Sequence, residues 1–173
     1  MDTSPPVFVP AFGNKWKYPS NYPVRNYQMQ ICSSCMFSNT LVALPTGLGK
    51  TLIASVVMYN YYHWFPGGKV IFMAPTRPLV TQQIAACHSI VGIPEEHCAH
   101  IEGNVTPATR ETLWKEKRVI FCTPQTLHND ISSNRMNPAK IVCLIVDEAH
   151  RATLNYAYTL VVSSLLVCLR NLF

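Results

Sequence analysis

Apolar residues fall along this chain in two alternating rhythms, short continuous runs and longer stretches of helical spacing. Residues 24–37 follow a helical period. Residues 40–44 form a short apolar run that stops at Pro45 and predict a strand. Residues 50–65 predict a long, mostly apolar helix, stopped by Pro66, Gly67 and Gly68. Residues 70–74 predict a buried strand. Residues 76–91 predict a helix, because Val80, Ile84, Cys87 and Val91 share one face. Further strands are predicted over 97–101, 118–122 and 141–146. Thr106 followed by Pro107 marks a helix start, and 151–169 predicts a terminal helix. Residues 1–22 hold Pro5, Pro6, Pro10 and Pro19 without periodicity, which predicts a coil draped over the domain.

Short apolar strands separated by helices imply βαβ units with right-handed crossovers. The expected fold class is α/β, a mainly parallel sheet with helices on both faces, over residues 23–173. Ligands in such folds gather at the carboxyl ends of the strands. The chain is 49% hydrophobic and only 13% charged, which excludes a disordered chain or a coiled coil and fits a sheet covered on both sides. Its 173 residues suit one domain. No run reaches the roughly 18 apolar residues of a membrane span, so no membrane partner is expected.

Charge changes the picture further. Between Thr3 and Pro94 there is no Asp or Glu, whereas Lys15, Lys17, Arg25, Lys50, Lys69 and Arg77 are all basic. Polyanions should be drawn to this half. The seven cysteines are scattered and no secretory signal precedes them, as expected for reduced, intracellular thiols. Cys32 and Cys35 have redox-pair spacing but lie in an apolar-periodic segment, so they are read as helix-face or core residues. His97, Cys98 and His100 suit a four-ligand metal site poorly, because in a strand they face opposite sides.

Two motifs carry chemistry. Thr46, Gly47, Leu48, Gly49, Lys50 and Thr51 follow a predicted strand and open a helix, the setting of a phosphate-binding loop. The glycines let backbone N–H groups approach phosphate oxygens, Lys50 reaches the β- and γ-phosphates, and the Thr51 hydroxyl is suited to Mg²⁺. Position 44 is Leu where the strict pattern has Gly. Asp147, Glu148 and His150 follow the strand 141–146. Asp147 is expected to hold Mg²⁺, and Glu148 to orient and deprotonate the attacking water. Together these motifs predict a bound nucleotide with Mg²⁺. Thr76 and Thr123 each follow a strand and precede a helix, positions that cap helices and grip phosphates alike. Arg77 is either a charge-assisted phosphate contact or a solvated surface arginine.

The blocks in this order resemble superfamily 2 helicases of the DEAH type. Thr46–Thr51 and Asp147–His150 resemble motifs I and II. Arg25, Asn26, Tyr27 and Gln28 resemble the Q motif. The stretch from Ala74 to Gln83, including Thr76, Arg77 and Gln82, resembles motif Ia; Thr123, Pro124 and Gln125 resemble motif Ib, and Gly103 sits where a strand-contact turn is common. Tyr22-Pro23-Val24-Arg25, Met58-Tyr59-Asn60 and the run from Asp147 to Ala152 followed by Asn155-Tyr156-Ala157-Tyr158 are most similar to Fanconi anaemia group M-type DNA translocases and archaeal Hef proteins. The resemblance implies a first RecA-like P-loop domain. It implies ATP binding by Arg25, Tyr27, Gln28 and residues 46–51, with Gln28 reading the adenine. Catalysis falls to Lys50, Asp147, Glu148 and His150, and Mg²⁺ to Thr51 and Asp147. Nucleic-acid contacts fall to Thr76, Arg77, Gln82, Gly103, Thr123, Pro124 and Gln125. It also implies forked or branched DNA as partner, a nuclear repair setting, and a second RecA-like domain that supplies an arginine finger. Motif III and its strand would follow the helix after His150, but the chain ends at Phe173, so a fragment with little turnover is expected, with an incomplete sheet and an uncovered apolar face on the last helix. A binding fragment without activity and an RNA-sensing DExH domain remain the alternative readings.

Overall fold

The computed structural model describes residues 4–13, 15–152 and 156–170. A one-turn helix α1 (Pro10–Gly13) lies in the N-terminal segment. It is followed by α2 (Asn26–Phe37), α3 (Lys50–Trp64), β1 (Lys69–Met73), α4 (Arg77–Val91), β2 (Cys98–Ile101), α5 (Pro107–Glu116), β3 (Val119–Cys122), α6 (Pro124–Ser132), β4 (Ile141–Val146) and α7 (Ala157–Arg170). The four strands form one parallel sheet in the order β2-β3-β1-β4.

Side-chain alternation explains why the sheet needs cover on both faces. From β1, Val70 and Phe72 enter one core and Ile71 and Met73 the other; from β3, Val119 and Phe121 oppose Ile120 and Cys122 in the same way. The first core is closed by α2, α3 and α4 through Cys32, Met36, Ile53, Val56 and Val80. The second is closed by Trp114 of α5, Leu127 of α6, and Tyr158 and Val161 of α7. This is the mainly parallel sheet with helices on both faces that the alternating pattern predicts, in the arrangement that the resemblance to a RecA-like domain implies.

Helix starts follow local chemistry. The Thr106 hydroxyl accepts from Thr109 N–H, and the Thr123 hydroxyl accepts from Thr126 N–H, each before a proline in the first turn. α4 ends at Gly92, whose φ of +62° is the left-handed conformation that closes a helix without a Cβ clash.

The strand predicted over 40–44 does not form. Residues 39–45 run without a ladder, Leu41 is 80% exposed, and Val42 and Leu44 only lean on the first core. The run has strand-like composition, but a strand exists only through pairing. Among the described residues the outer edge of β4 is unpaired, and 40–44 makes no ladder with it or with any other strand. The terminal helix shows the expected uncovered face: Leu160, Val162, Leu166 and Val167 are exposed while Tyr158 and Val161 are buried. No described helix is long and apolar enough to cross a membrane.

The N-terminal segment does drape over the domain. Val9 N–H donates to the Trp64 carbonyl, Phe8 packs on Trp64 and Phe65, and Lys140 Nζ donates to the Ser4 carbonyl.

Candidate nucleotide and nucleic-acid site

The phosphate loop turns through two left-handed glycines, Gly47 at φ +85° and Gly49 at φ +88°. Only glycine adopts this region without cost. The pair aims the Leu48 carbonyl back toward α2, where two side chains meet it. Tyr27 Oη donates to it across 3.0 Å and Gln28 Nε2 across 3.2 Å. Arg25 in turn donates to Tyr27 Oη at 3.3 Å. Gln28 is buried, and its amide lies so close to Gly49 that a Cβ there would stand 2.3 Å from Nε2. Of the stretch resembling a Q motif, Tyr27 and Gln28 therefore hold the phosphate loop directly, and Arg25 acts through Tyr27.

Lys50 opens α3 and folds its ammonium back onto the loop, donating to the Leu44 carbonyl at 2.7 Å and the Pro45 carbonyl at 3.3 Å. Thr46, Gly47 and Leu48 are exposed, and Thr51 is half-buried in the first turn of α3. With its N-terminal N–H groups free of intrahelical partners, this turn is suited to phosphate.

Asp147 and Glu148 sit at the carboxyl end of β4. Asp147 N–H donates to the Met73 carbonyl, and the buried Tyr158 donates its hydroxyl to the Asp147 carbonyl at 2.7 Å. Both ends of that peptide are thereby pinned. The Asp147 carboxyl titrates above the ordinary carboxylate range, chiefly because burial strips it of water; Glu148 N–H and the Lys50 ammonium pull the other way. Glu148 takes φ +52°, an uncommon conformation for a residue with a side chain, and its carboxylate lies 3.4 Å from His150 Nε2. His150 is largely exposed.

One carboxylate and one hydroxyl suit Mg²⁺, which keeps several waters and takes few protein oxygens beside phosphates. Among the described residues no group of three or more metal-binding side chains gathers, so Asp147 and Thr51 would be the protein's share. Elsewhere, His97 pairs with the Tyr62 hydroxyl and His100 with Glu102, so the two histidines flanking Cys98 face different partners. Cys32 is buried in the first core, and burial pushes its thiol up to about 12.

The sheet order lays the remaining motif residues along the same edge. Gly103 follows β2, Thr123 follows β3 and Thr76 follows β1, so they line up beside Asp147 after β4. Thr76 makes no capping bond and is exposed, whereas the Thr123 hydroxyl is engaged in capping. Arg77 is just over half exposed and pairs with Glu102 at 3.7 Å beside Gly103. Gln82 and Gln125 are exposed. Pro124 is buried in the first turn of α6, where it starts the helix.

Sequence reasoning passed over Tyr18, and it noted Asn60 and Tyr158 without giving them roles. Asn60 carried a signal, as a polar residue in the apolar face of α3; it is buried and bonds to the N-terminal segment. Asp130 was also missed. It is fully buried, accepting from Trp114 Nε1 at 2.8 Å and facing Arg110 and Arg135.

A RecA-like domain with these loops is the ATP-binding half of a superfamily 2 helicase. Residues 21–168 match the model of the type III restriction enzyme res subunit, and the chain belongs to that family. It is 56% identical over 168 residues to the "DEAD-box ATP-dependent RNA helicase FANCM" of Arabidopsis thaliana, covering 95% of this chain and 12% of that protein. It is 50% identical over 157 residues to the "ATP-dependent DNA helicase fml1" of Schizosaccharomyces pombe, covering 91% and 19%. The crystal structure of the Hef helicase domain from Pyrococcus furiosus superposes with a TM-score of 0.77 at 37% identity, over 83% of this chain and 30% of that one. The chain thus spans less than a fifth of either protein relative.

Proposed function

We propose that this chain is the ATP-binding half of a DNA-dependent motor that remodels forked or branched DNA in nuclear repair. The carrying observation is the loop itself: Gly47 and Gly49 turn it at φ +85° and +88°, and Lys50 folds its ammonium onto the Leu44 and Pro45 carbonyls at the start of α3. Lys50 leaves the Leu44 and Pro45 carbonyls for the β- and γ-phosphates. Thr51 and Asp147 hold Mg²⁺, which when bound neutralises charge developing on the phosphates. Glu148 orients the attacking water and takes its proton, and His150 sits against the Glu148 carboxylate. Gln28 reads the adenine, with Arg25 and Tyr27 beside it.

Thr76, Arg77, Gln82, Gly103, Thr123 and Gln125 lie on the strand-end edge suited to a nucleic-acid backbone. Such contacts position a strand without reading its bases. The name of the Schizosaccharomyces pombe relative, an ATP-dependent DNA helicase, supports DNA, and the basic first half suits a nucleic-acid backbone. The Arabidopsis relative's name supports RNA as the second reading, because phosphate contacts serve both. In motors of this class a second RecA-like domain supplies the arginine finger, worth about 10³–10⁵ in rate, so this chain alone binds ATP·Mg²⁺ with little hydrolysis.

The test measures binding and ATP hydrolysis by the 173-residue chain with single-stranded, forked and double-stranded DNA and RNA, across a salt series. Affinity should fall steeply with salt and vary little with base sequence. Salt-independent binding overturns the backbone assignment. Robust nucleic-acid-stimulated hydrolysis that is lost in Lys50→Ala overturns the half-motor reading.

A further inference from the structure

The N-terminal segment is tied to the phosphate loop by a chain of side-chain bonds that begins inside α3. Asn60 is buried there, with 2% of its surface exposed. Its Oδ1 accepts from Lys17 N–H at 2.6 Å, and its Nδ2 donates to the Lys17 carbonyl at 2.9 Å and to the Val56 carbonyl at 2.8 Å. An amide side chain thus pairs with both polar groups of one residue, as a neighbouring strand would. Lys17 is fixed in an otherwise irregular segment, and the next residue is fixed with it.

That residue is Tyr18. Its ring lies edge-on to Trp16, with centroids 6.4 Å apart, and is partly buried against the first core. Its hydroxyl donates to Gln28 Oε1 across 3.3 Å. Burial raises its pKa, so the phenol stays a proton donor at neutral pH. The other end of the Gln28 amide faces the Leu48 carbonyl. A carbonyl only accepts, so the nitrogen must face Leu48 and the oxygen must face Tyr18. The Leu48 carbonyl thus sets the orientation of this amide, and the Tyr18 hydroxyl, which can donate as well as accept, adds the bond that holds its oxygen in place.

Each Gln28 atom keeps one free valence: a lone pair on Oε1 and an N–H on Nε2. An adjacent acceptor and donor complement the N6 amino group and N7 of adenine. Guanine presents O6 in place of the amino group and would set two acceptors face to face. A flipped amide would reverse this preference.

We propose that Tyr18 is a positioning residue for base selection: held in place by Asn60 through Lys17, its hydroxyl steadies the Gln28 amide in the orientation that the Leu48 carbonyl sets, the one that accepts adenine and rejects guanine. This rests on the reading of Gln28 as the adenine contact. It adds a role for the coil before residue 22, whose hydroxyl and strap are otherwise simple cover.

The test titrates the 173-residue chain by calorimetry with ATP·Mg²⁺, GTP·Mg²⁺ and tripolyphosphate, the last carrying no base. The wild type should prefer ATP to GTP. Tyr18→Phe keeps the ring and removes only the hydroxyl. Its ATP-over-GTP preference should fall about fivefold, the scale of one neutral hydrogen bond, with tripolyphosphate affinity unchanged. Gln28→Ala should lose the preference entirely. If Gln28→Ala loses it and Tyr18→Phe retains it, the role of Tyr18 is wrong and the adenine contact stands. If the wild type shows no preference, or Gln28→Ala keeps it, the adenine contact is wrong and the role of Tyr18 falls with it. If Tyr18→Phe weakens tripolyphosphate as much as ATP, the hydroxyl supports the loop as a whole and base selection is overturned.

Discussion

The Lys50 ammonium lies 2.7 Å from the carbonyl of Leu44, six residues earlier in its own loop. Lys50 is thus held by its own loop. Under the proposed function, nucleotide binding would exchange these two neutral carbonyl acceptors for charged phosphate oxygens. A hydrogen bond to a charged group contributes about 1.5–3 kcal/mol, so Lys50→Ala should weaken ATP·Mg²⁺ binding by about 10- to 100-fold. Calorimetric titration measures this. The urea midpoint should move little, because Pro45 is exposed and Leu44 half-exposed, leaving both carbonyls within reach of water.

Gly49 and Gly47 share a left-handed backbone but not their surroundings. A Cβ on Gly47 meets nothing within 4 Å, while one on Gly49 would stand 2.3 Å from Gln28 Nε2. Both alanine variants should lose roughly 1–2 kcal/mol of stability from backbone conformation alone. Both should weaken nucleotide binding by distorting the loop, and Gly49→Ala should weaken it further, because it alone also displaces Gln28. Equal affinities in the two variants would show that Gln28 does not support the loop.

Asp130 is the buried hub of the second layer of helices. It binds Trp114 and faces Arg110 and Arg135, joining α5 to α6 and to the turn beyond it. Removing one partner of a buried ion pair strands the other, at a cost of about 3–5 kcal/mol. Asp130→Ala should lose that much in urea denaturation. Asp130→Asn, which still accepts from Trp114, should lose less.

Lys69 supplies a pH test. Burial first, then Arg118 and Lys140, lower its pKa to about 8, while its Nζ donates to the carbonyls of Lys115 and Lys117. An unfolded lysine titrates near 10.4. Between these values the unfolded chain binds more protons than the folded one, so stability rises with pH across that window. Below about pH 8 Lys69 is charged in both states and adds no slope. The stability of wild type minus that of Lys69→Met should therefore climb from pH 8 to 10 and stay flat from pH 6 to 7. Thermal denaturation across this series reads it directly.

Much of the fold was legible because the signals are local. The helical spacing of Val80 and Cys87, the apolar run 141–146 and the Thr106-Pro107 start each state an element without reference to anything distant, and α4, β4 and α5 follow. The phosphate loop was legible for the same reason: it is a short peptide whose glycines and lysine act within one turn. The segment 40–44 misled because its composition is that of a strand while its partner is a matter of topology. Asn60 and Tyr18 were hidden because their roles span 43 residues in one case and ten in the other.

From composition and spacing alone follow the α/β class, the loop at Lys50, the acids after β4 and the acid-free first half. These depend on residue types and on periods of two or 3.6 residues, which backbone geometry imposes on any chain. The sheet order, the bond from Tyr18 to Gln28 and the double hold on the Leu48 carbonyl do not follow from spacing. The first arises when parallel strands far apart in the chain pair side by side, and the other two when the N-terminal segment, α2 and the loop before α3 pack together. Pairing partners are chosen by burial on two faces at once, and that choice is made only when the whole domain closes.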